Sequence, residues 1–372
     1  MVSAGETSGD MHASHALQQL TKLGVSHNSF GMGGHQLEAN GTELIVDSRT
    51  LGVIGLVDVI RNYHRFRIRL YRLRKALKER RPDMLVIVDY PDFNLKLAKT
   101  ATQLGIPVLF YISPQLWAWR RGRVKTIGKK ITHMAVLFPF EVPFYRDAGI
   151  PVTFVGNPLV DDAVCASTKA EARKALSLGI SSPTVALLPG SRYRELEKHL
   201  PVMLQAAKQI QQALPACQFV LPCAPSLDIG SVEQQIADAG IPVVLSTGQS
   251  YLAMRAADSV ITASGTATLE TALIGTPMCV VYIVSPLNYA IMSRLIEIDD
   301  IALVNIVAGK RVVQEFIQHS ATPEAIASET LNILSKPEYH QQMCTELKKV
   351  KDTMGDGGAS KRVAQLIHSM LA

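Results

Sequence analysis

Short apolar runs alternate with amphipathic helical segments along most of this chain, and no other feature restricts its fold as strongly. In the first half the runs are 84–88 (Met-Leu-Val-Ile-Val), 107–112, 134–137 and 152–155, and in the second half 184–188, 218–221, 242–245, 259–262 and 278–283. Strands that alternate with helices build parallel sheets with right-handed crossovers. The pattern runs down near Asn157-Pro158-Leu159, passes through a polar helical stretch at 168–177, and restarts at Thr184. At 372 residues the chain exceeds one compact core. The expected fold class is therefore α/β, with two Rossmann-like doubly wound domains facing a cleft, at 1–163 and 164–322. After 322 only helical signals remain, and these helices (323–372) are expected either to pack back on the first domain or to reach a partner subunit, which leaves a homodimer open.

With 47% hydrophobic and 19% charged residues the composition is that of a core-forming globular protein. No run of apolar residues is long enough to span a bilayer, and Gly5, Glu6 and Asp10 interrupt the place where a secretory signal would need its apolar region. Five cysteines (Cys165, Cys217, Cys223, Cys279, Cys344), an odd number without CxxC spacing, favour a reducing cytoplasm and argue against zinc. The net charge of +6 is concentrated in "RNYHRFRIRLYRLRKALKERR" (61–81), which holds ten Lys/Arg and one acidic residue. There Tyr63, Phe66, Leu70, Leu73 and Leu77 recur at helical spacing, so one face is apolar and the others basic. One reading is a surface helix with a solvated face. With the apolar Val53–Val57 run just upstream, and the Trp-bearing basic cluster "WAWRRGRVKTIGKK" at 117–130, segment 53–81 also suits anionic lipid headgroups at a membrane surface. No helix-turn-helix, RRM or zinc signature accompanies the charge, so nucleic acid is not the expected partner.

In doubly wound sheets ligands sit beyond the carboxyl ends of the strands, which directs attention to three loops. In "LVIVDYPDFN" (85–94), Asp89 sits where a buried strand ends, and a carboxylate there can take a proton from a hydroxyl. Asp92 reads more simply as the N-cap of the following helix. In "VALLPGSRYREL" (185–196), Gly190 permits close backbone approach, Ser191 and the helix start offer N–H groups, and Arg192 offers a planar fork for phosphate oxygens. An ordinary strand–helix turn with a solvent-facing arginine is the alternative. In "VITASGTATLETALIG" (260–275), Ser264, Gly265 and Thr266 open a second helix, and Glu270 either accepts from a ribose diol or is a solvated helix carboxylate. Two anion-receiving helix starts in one domain and a carboxylate in the other suggest a nucleotide-activated donor facing a hydroxyl acceptor. No two aspartates stand in D-x-D spacing, so metal-free stabilisation of a leaving diphosphate by Arg192 and helix termini is expected.

These motifs have a family counterpart. "SAGETSGD" (3–10), "FGMGGHQLEANG" (30–41), "LGVIGLVDV" (51–59), "DYPDFN" (89–94), "YISPQLWAWRRGRV" (111–124), "LPGSR" (188–192), "SGTATLE" (264–270) and "NIVAGK" (305–310) occur in this order, and together the chain resembles the lipid-A-disaccharide synthases nearly end to end. The resemblance implies an inverting glycosyltransferase of the two-domain GT-B architecture, without cofactor or metal. It implies UDP-2,3-diacylglucosamine as donor, 2,3-diacylglucosamine 1-phosphate as acceptor, and a peripheral place on the inner face of the cytoplasmic membrane. Asp89 becomes the base and Arg192 the diphosphate stabiliser. Gly190, Ser191, Ser264, Gly265, Thr266, Glu270 and Asn305 fall at the nucleotide, while Glu6, Ser8 and Asp10 are candidate acceptor or cleft contacts, with capping and helix-dipole roles open for Glu6 and Asp10.

Two departures touch these roles: Asn157 stands where relatives carry histidine in "VGHPL", and Val304 replaces the proline of "LPN". The loop "GETSGD" is also preceded only by Met1–Ala4, so either the sequence starts late, within the first strand, or that strand is only a stub, and its pairing decides whether the sheet is complete. The rival functions are a UDP-sugar 2-epimerase, which shares the architecture, and a non-catalytic lipid- or nucleotide-binding module.

Overall fold

The structure is a computed structural model that describes residues 1–51, 63–119, 121–286, 289 and 300–372. It divides into two compact units, Met1–Pro158 with Asp356–Ala372, and Leu159–Gly355.

The first unit is built on a parallel seven-stranded sheet of β1 (Val2–Ala4), β2 (Phe30–Gly33), β3 (Glu43–Asp47), β4 (Leu85–Val88), β5 (Val108–Tyr111), β6 (His133–Val136) and β7 (Val152–Phe154), in the order β3-β2-β1-β4-β5-β6-β7. The three-residue stub β1 is a central strand: Val2 pairs with Gly31 on one side and Val86 on the other, and Ser3 with Met32 and Ile87. Its brevity therefore leaves no gap in the sheet. Strands β2 and β3 are missed by the apolar-run criterion. Phe-Gly-Met-Gly carries two glycines in four residues, and β3 is a short run bounded by Glu43 and Asp47.

The second unit carries a parallel six-stranded sheet of β8 (Thr184–Leu188), β9 (Gln218–Cys223), β10 (Val243–Thr247), β11 (Ser259–Ala263), β12 (Met278–Tyr282) and β13 (Glu315–Ile317), in the order β10-β9-β8-β11-β12-β13. Strand β13 escaped the sequence reading because it is a three-residue edge that includes an acid. Both sheets thus follow one doubly wound strand order, and helices cover both faces.

The helical tail does not behave as a block. Helix Pro323–Ser335 packs on helix Tyr193–Ala213 and places Ile326, Ala327 and Ile333 in the second unit. Helix Pro337–Thr353 stays with that unit as well, whereas helix Ala359–Leu371 returns to the first. There Val363, Ala364 and Ile367 join Val2, Ala4, Leu17 and Leu20 in one apolar cluster, and Arg362 donates to the Val155 carbonyl at 2.7 Å. The division falls at Pro158/Leu159 and Gly355/Asp356 instead of at 163/164 and 322/323, because hydrophobic faces decide membership, and the sequence shows only where strand signals stop.

Helix Tyr63–Arg80 buries Leu70, Leu73 and Leu77 against Met32, Val46 and Phe93. Phe66 meets Phe93 edge-on at 4.9 Å. The helix leaves Arg65, Arg67, Ile68, Tyr71, Arg72, Lys75 and Lys78 exposed. The Val53–Val57 run lies outside the described residues.

Candidate active site

In each sheet the strand order reverses at one place, between β1 and β4 in the first unit and between β8 and β11 in the second. Loops leaving the carboxyl ends of strands beside such a point form the ligand crevice of this architecture. Those four loops are the ones that hold Glu6, Asp89, the Gly190–Arg192 turn and the Ser264–Thr266 turn.

In the first unit, Asp89 and Tyr90 follow β4 with φ of 46° and 47°, two successive left-handed residues without a glycine between them. Such a backbone costs of order 1–3 kcal/mol per residue and persists only where its surroundings over-determine it. Here Asn94 does so. Its buried amide donates to the carbonyls of Asp89 at 2.8 Å, Val88 at 3.1 Å and Ser3 at 3.2 Å, and accepts from the Ser3 hydroxyl at 2.7 Å. One side chain thus ties the exits of β1 and β4 together. Gly5 completes the arrangement, because a Cβ there would lie 2.4 Å from the Tyr90 ring. The Asp89 carboxyl is pushed up to about 6, first by burial and then by the neighbouring Glu6 carboxylate. Helix Pro91–Gln103 begins with Tyr90 as its cap, so Asp92 is not the N-cap expected from sequence. It lies exposed in the first turn, 3.5 Å from Arg123.

Glu6 caps helix Thr7–Lys22 by backbone position only, without a side-chain cap bond, and it and Ser8 are exposed. Asp10 is 2% exposed. Its oxygens accept from the amides of Gly34 at 2.6 Å, Gln36 at 2.9 Å and Leu37 at 3.2 Å, so this carboxylate caps the short helix His35–Ala39.

A residue missed by the sequence reading organises the next loop. Glu141 is 3% exposed and its pKa is raised by burial. It accepts from the hydroxyl of Ser113, the indole of Trp117 at 3.3 Å, and the amides of Leu137 at 3.2 Å and Phe138 at 3.0 Å. This fixes the Ser113–Trp117 stretch of the "SPQLW" motif beside the end of β5.

In the second unit, Gly190 takes φ 118°, and Arg192 (side chain 73% exposed) caps helix Tyr193–Ala213. The amides of Ser191 and Arg192 donate to Glu195 Oε2 at 3.0 and 3.3 Å, and the Arg192 guanidinium donates to Oε1 at 3.0 Å. A Cβ on residue 190 would come within 2.5 Å of that carboxylate. The turn therefore already receives an anion, one belonging to the chain itself. After β11, Ser264 donates from its hydroxyl to the Ile301 carbonyl at 3.2 Å, and exposed Gly265 and Thr266 begin helix Thr266–Ile274. Glu270, half-buried on this helix, has its pKa raised by burial and then by Asp162. It stands with Tyr251, whose hydroxyl is pushed up to about 12 by burial, Glu270 and Asp162.

Asn305 is 1% exposed, and every hydrogen-bonding atom of its amide is engaged. It accepts from the amides of Val312 at 2.8 Å and Val313 at 3.0 Å, and donates to the Val313 carbonyl at 2.9 Å and Glu315 at 2.7 Å. Glu315 in turn accepts from the amides of Ile301 and Ala302. Asn305 thus reaches Ser264 through the Ile301 backbone. Val304 and Asn157 are both buried. Among the described residues no cluster of His, Cys, Asp and Glu has the geometry of a metal site.

Comparison with solved structures first defines the class. The glycotransferase of kitacinnamycin aligns with a TM-score of 0.65 at 18% identity, covering 100% of this chain and 98% of that one. A UDP-GlcNAc 2-epimerase from Neisseria meningitidis, bound to UDP-GlcNAc, aligns with a TM-score of 0.62 at 15% identity over 100% and 98% of the two chains. At such identities the likeness establishes the fold, two doubly wound α/β units of the GT-B type. Sequence carries the assignment further. The family model described as lipid-A-disaccharide synthetase matches residues 1–367. Proteins named lipid-A-disaccharide synthase from Geobacter metallireducens and Syntrophus aciditrophicus are 43% and 44% identical, each over 100% of this chain and 97% of the relative. The chain belongs to the lipid-A-disaccharide synthase family, and its activity is that of a glycosyltransferase.

Proposed function

We propose that the protein joins UDP-2,3-diacylglucosamine to 2,3-diacylglucosamine 1-phosphate by a single inverting displacement, releasing UDP and forming the β-1,6-linked disaccharide 1-phosphate. The observation that supports the residue roles is what each unit carries at its own switch point, a half-buried carboxylate with a raised pKa in the first and an anion-filled turn in the second. Asp89 takes the proton of the acceptor's 6-hydroxyl as that oxygen forms its bond to C1 of the donor sugar. The bond from C1 to the diphosphate oxygen breaks, and UDP leaves with the electron pair. A carboxyl group titrating at about 6 is a stronger base than one at the ordinary value and is still ionised at neutral pH.

The leaving diphosphate takes the place of the Glu195 carboxylate on the Ser191 and Arg192 amides and the Arg192 guanidinium, with Gly190 giving the room. Ser264, Gly265 and Thr266 supply the second set of donors, and Glu270 accepts from the ribose. Glu6 and Ser8 line the acceptor side. Asp10 and Asn305 act at one remove, Asp10 by holding the Gly34–Leu37 backbone and Asn305 by holding the segment on which Ser264 rests. Arg192 and backbone amides supply the positive charge that a metal supplies elsewhere.

The exposed cations of helix Tyr63–Arg80, with Ile68 and Tyr71 between them, suit an anionic membrane surface on the cytoplasmic side, where two acylated substrates are met. No helix among the described residues is long and apolar enough to cross a membrane.

The test is one assay with purified protein, both acylated substrates and a chelator, the product identified by mass. The disaccharide 1-phosphate is expected. Its absence in the chelator alone would overturn the metal-free part, and epimerisation of UDP-N-acetylglucosamine without acceptor would replace the whole reading.

A further inference from the structure

We propose that His199 is a positioning residue for the Pro189–Arg192 turn, and that its neutral imidazole, bridging the exits of β8 and β12, holds the turn in the form that receives a nucleotide diphosphate. The inference rests on reading that turn as the diphosphate seat.

His199 lies on helix Tyr193–Ala213 in line with Leu196, Leu200 and Met203, the residues that enter the core, and is 3% exposed. A buried imidazole has two ring nitrogens to satisfy, and here the partners decide which one carries the proton. The amide of Ile283, three ångströms from Nε2 (3.0 Å), can only donate, so Nε2 accepts. The Pro189 carbonyl, 3.0 Å from Nδ1, can only accept, so Nδ1 bears the hydrogen. A proton added to Nε2 would face N–H against N–H and break the link to Ile283. The far end of the bridge is itself held, because the next residue, Val284, exchanges two hydrogen bonds with the Gln318 side chain, at 3.0 and 2.8 Å. The imidazole therefore couples a fixed strand exit to the first residue of the turn.

Among the described residues, the charged group that acts on His199 is Glu195 of its own helix, itself paired with Arg192. From β12 comes the Tyr282 ring, 6.4 Å away between centroids, whose hydroxyl is raised by burial and then by Glu195 and so stays neutral through the acid range. Burial lowers the His199 pKa, opposed by the Pro189 carbonyl and Glu195. The neutral form thus extends below the ordinary value of about 6.5, and the bridge opens on acidification beyond it.

The experiment measures binding of UDP-N-acetylglucosamine, whose diphosphate diester carries no titrating proton between about pH 5 and 8, to the full chain and to His199→Gln, with circular dichroism as a fold check. For the parent we expect affinity to fall as the pH drops from 7.5 to 5, and for the variant to be weaker at pH 7.5 but nearly flat with pH. Imidazole 15N shifts of the parent give a second readout, and the Nδ1–H tautomer is expected at pH 7.5. An Nε2–H tautomer, unchanged parent affinity at pH 5, or a parallel fall in the variant would each overturn the role of His199 and leave the diphosphate reading standing. Absence of binding by the parent at pH 7.5 would overturn that reading, and this proposal with it.

Discussion

The two units share a strand order and differ in what they place at its reversal. The first unit sets acids there: Glu6 and Asp89 are close enough for one to raise the other's pKa, on a turn held in left-handed backbone by Asn94. The second sets donors: the Ser191 and Arg192 amides and a guanidinium beside Gly190, gathered around the Glu195 carboxylate. On the proposed mechanism one scaffold carries the two halves of a displacement, proton removal in one unit and charge reception in the other. The fold supplies where, and a few side chains per loop supply what.

Removing the acid half should have the largest effect. Asp89→Asn keeps the shape of the side chain and deletes the base, so kcat should fall about 10³-fold, within the usual range for a general base, with UDP binding retained. The same variant tests the origin of the shifted pKa. A carboxyl whose folded pKa lies above its unfolded value of about 3.9 destabilises the fold fully above pH 6, and this burden fades as the pH drops towards 4. At pH 7.5 the Asn variant should therefore melt no lower than the parent. Full activity would remove Asp89 from the base role, and a collapsed melting temperature would make it structural instead.

Removing the donor half comes next. Arg192→Ala should lower kcat/KM about a hundredfold, the cost of one preorganised group on a leaving diphosphate, with little change in melting temperature because the side chain is 73% exposed. A loss confined to melting temperature would break the comparison at its second term.

What the sequence revealed follows the range of the interactions involved. Strand exits were legible, since β4, β8 and β11 are buried runs that stop at a polar turn, and so the places of Asp89, Arg192 and Ser264 just beyond those strands were read from local pattern. Partners distant along the chain were not. Asp10 reads as an early-helix acid until the amides of Gly34–Leu37 close over it, and Asn305 reads by resemblance as a nucleotide contact until Val312, Val313 and Glu315 occupy its amide. Glu141 and His199 were missed for the same reason, His199 bridging to a residue 84 positions away. A signal for His199 did exist, a lone polar residue in the apolar stripe Leu196–Leu200–Met203. The Asp92 error was of another kind: a favoured capping residue lost its place to Tyr90, whose backbone is set by the tertiary clamp of Asn94.

The pH dependence of turnover sharpens the same comparison with a smaller effect. With saturating donor, kcat should fall about tenfold between pH 7 and 5 as Asp89 is protonated through its value of about 6, the ionised form being the active one. Since Glu6 raises that value through its charge, Glu6→Gln should move the acid limb to lower pH. An unmoved limb would assign the shift to burial alone.

The smallest effect concerns the anion already seated in the second unit. On the proposed reading a diphosphate would compete with Glu195 for the same two amides and the same guanidinium, and the carboxylate would have to swing out before a donor enters. Glutamine at this position can still cap the Ser191 and Arg192 amides through its carbonyl oxygen, which preserves the helix start, but it lacks the charge that makes the carboxylate the better occupant. Glu195→Gln should therefore bind UDP more tightly, by about fivefold if roughly 1 kcal/mol of the internal hydrogen bonding is given up, and release it more slowly. The first unit offers no such internal competitor, because Asp89 awaits a proton and not an anion, so an equivalent neutralisation at Glu6 should leave UDP affinity unchanged. Weaker UDP binding by Glu195→Gln would mean that the carboxylate shapes the seat instead of occupying it, and the turn would then have to receive its ligand with Glu195 in place.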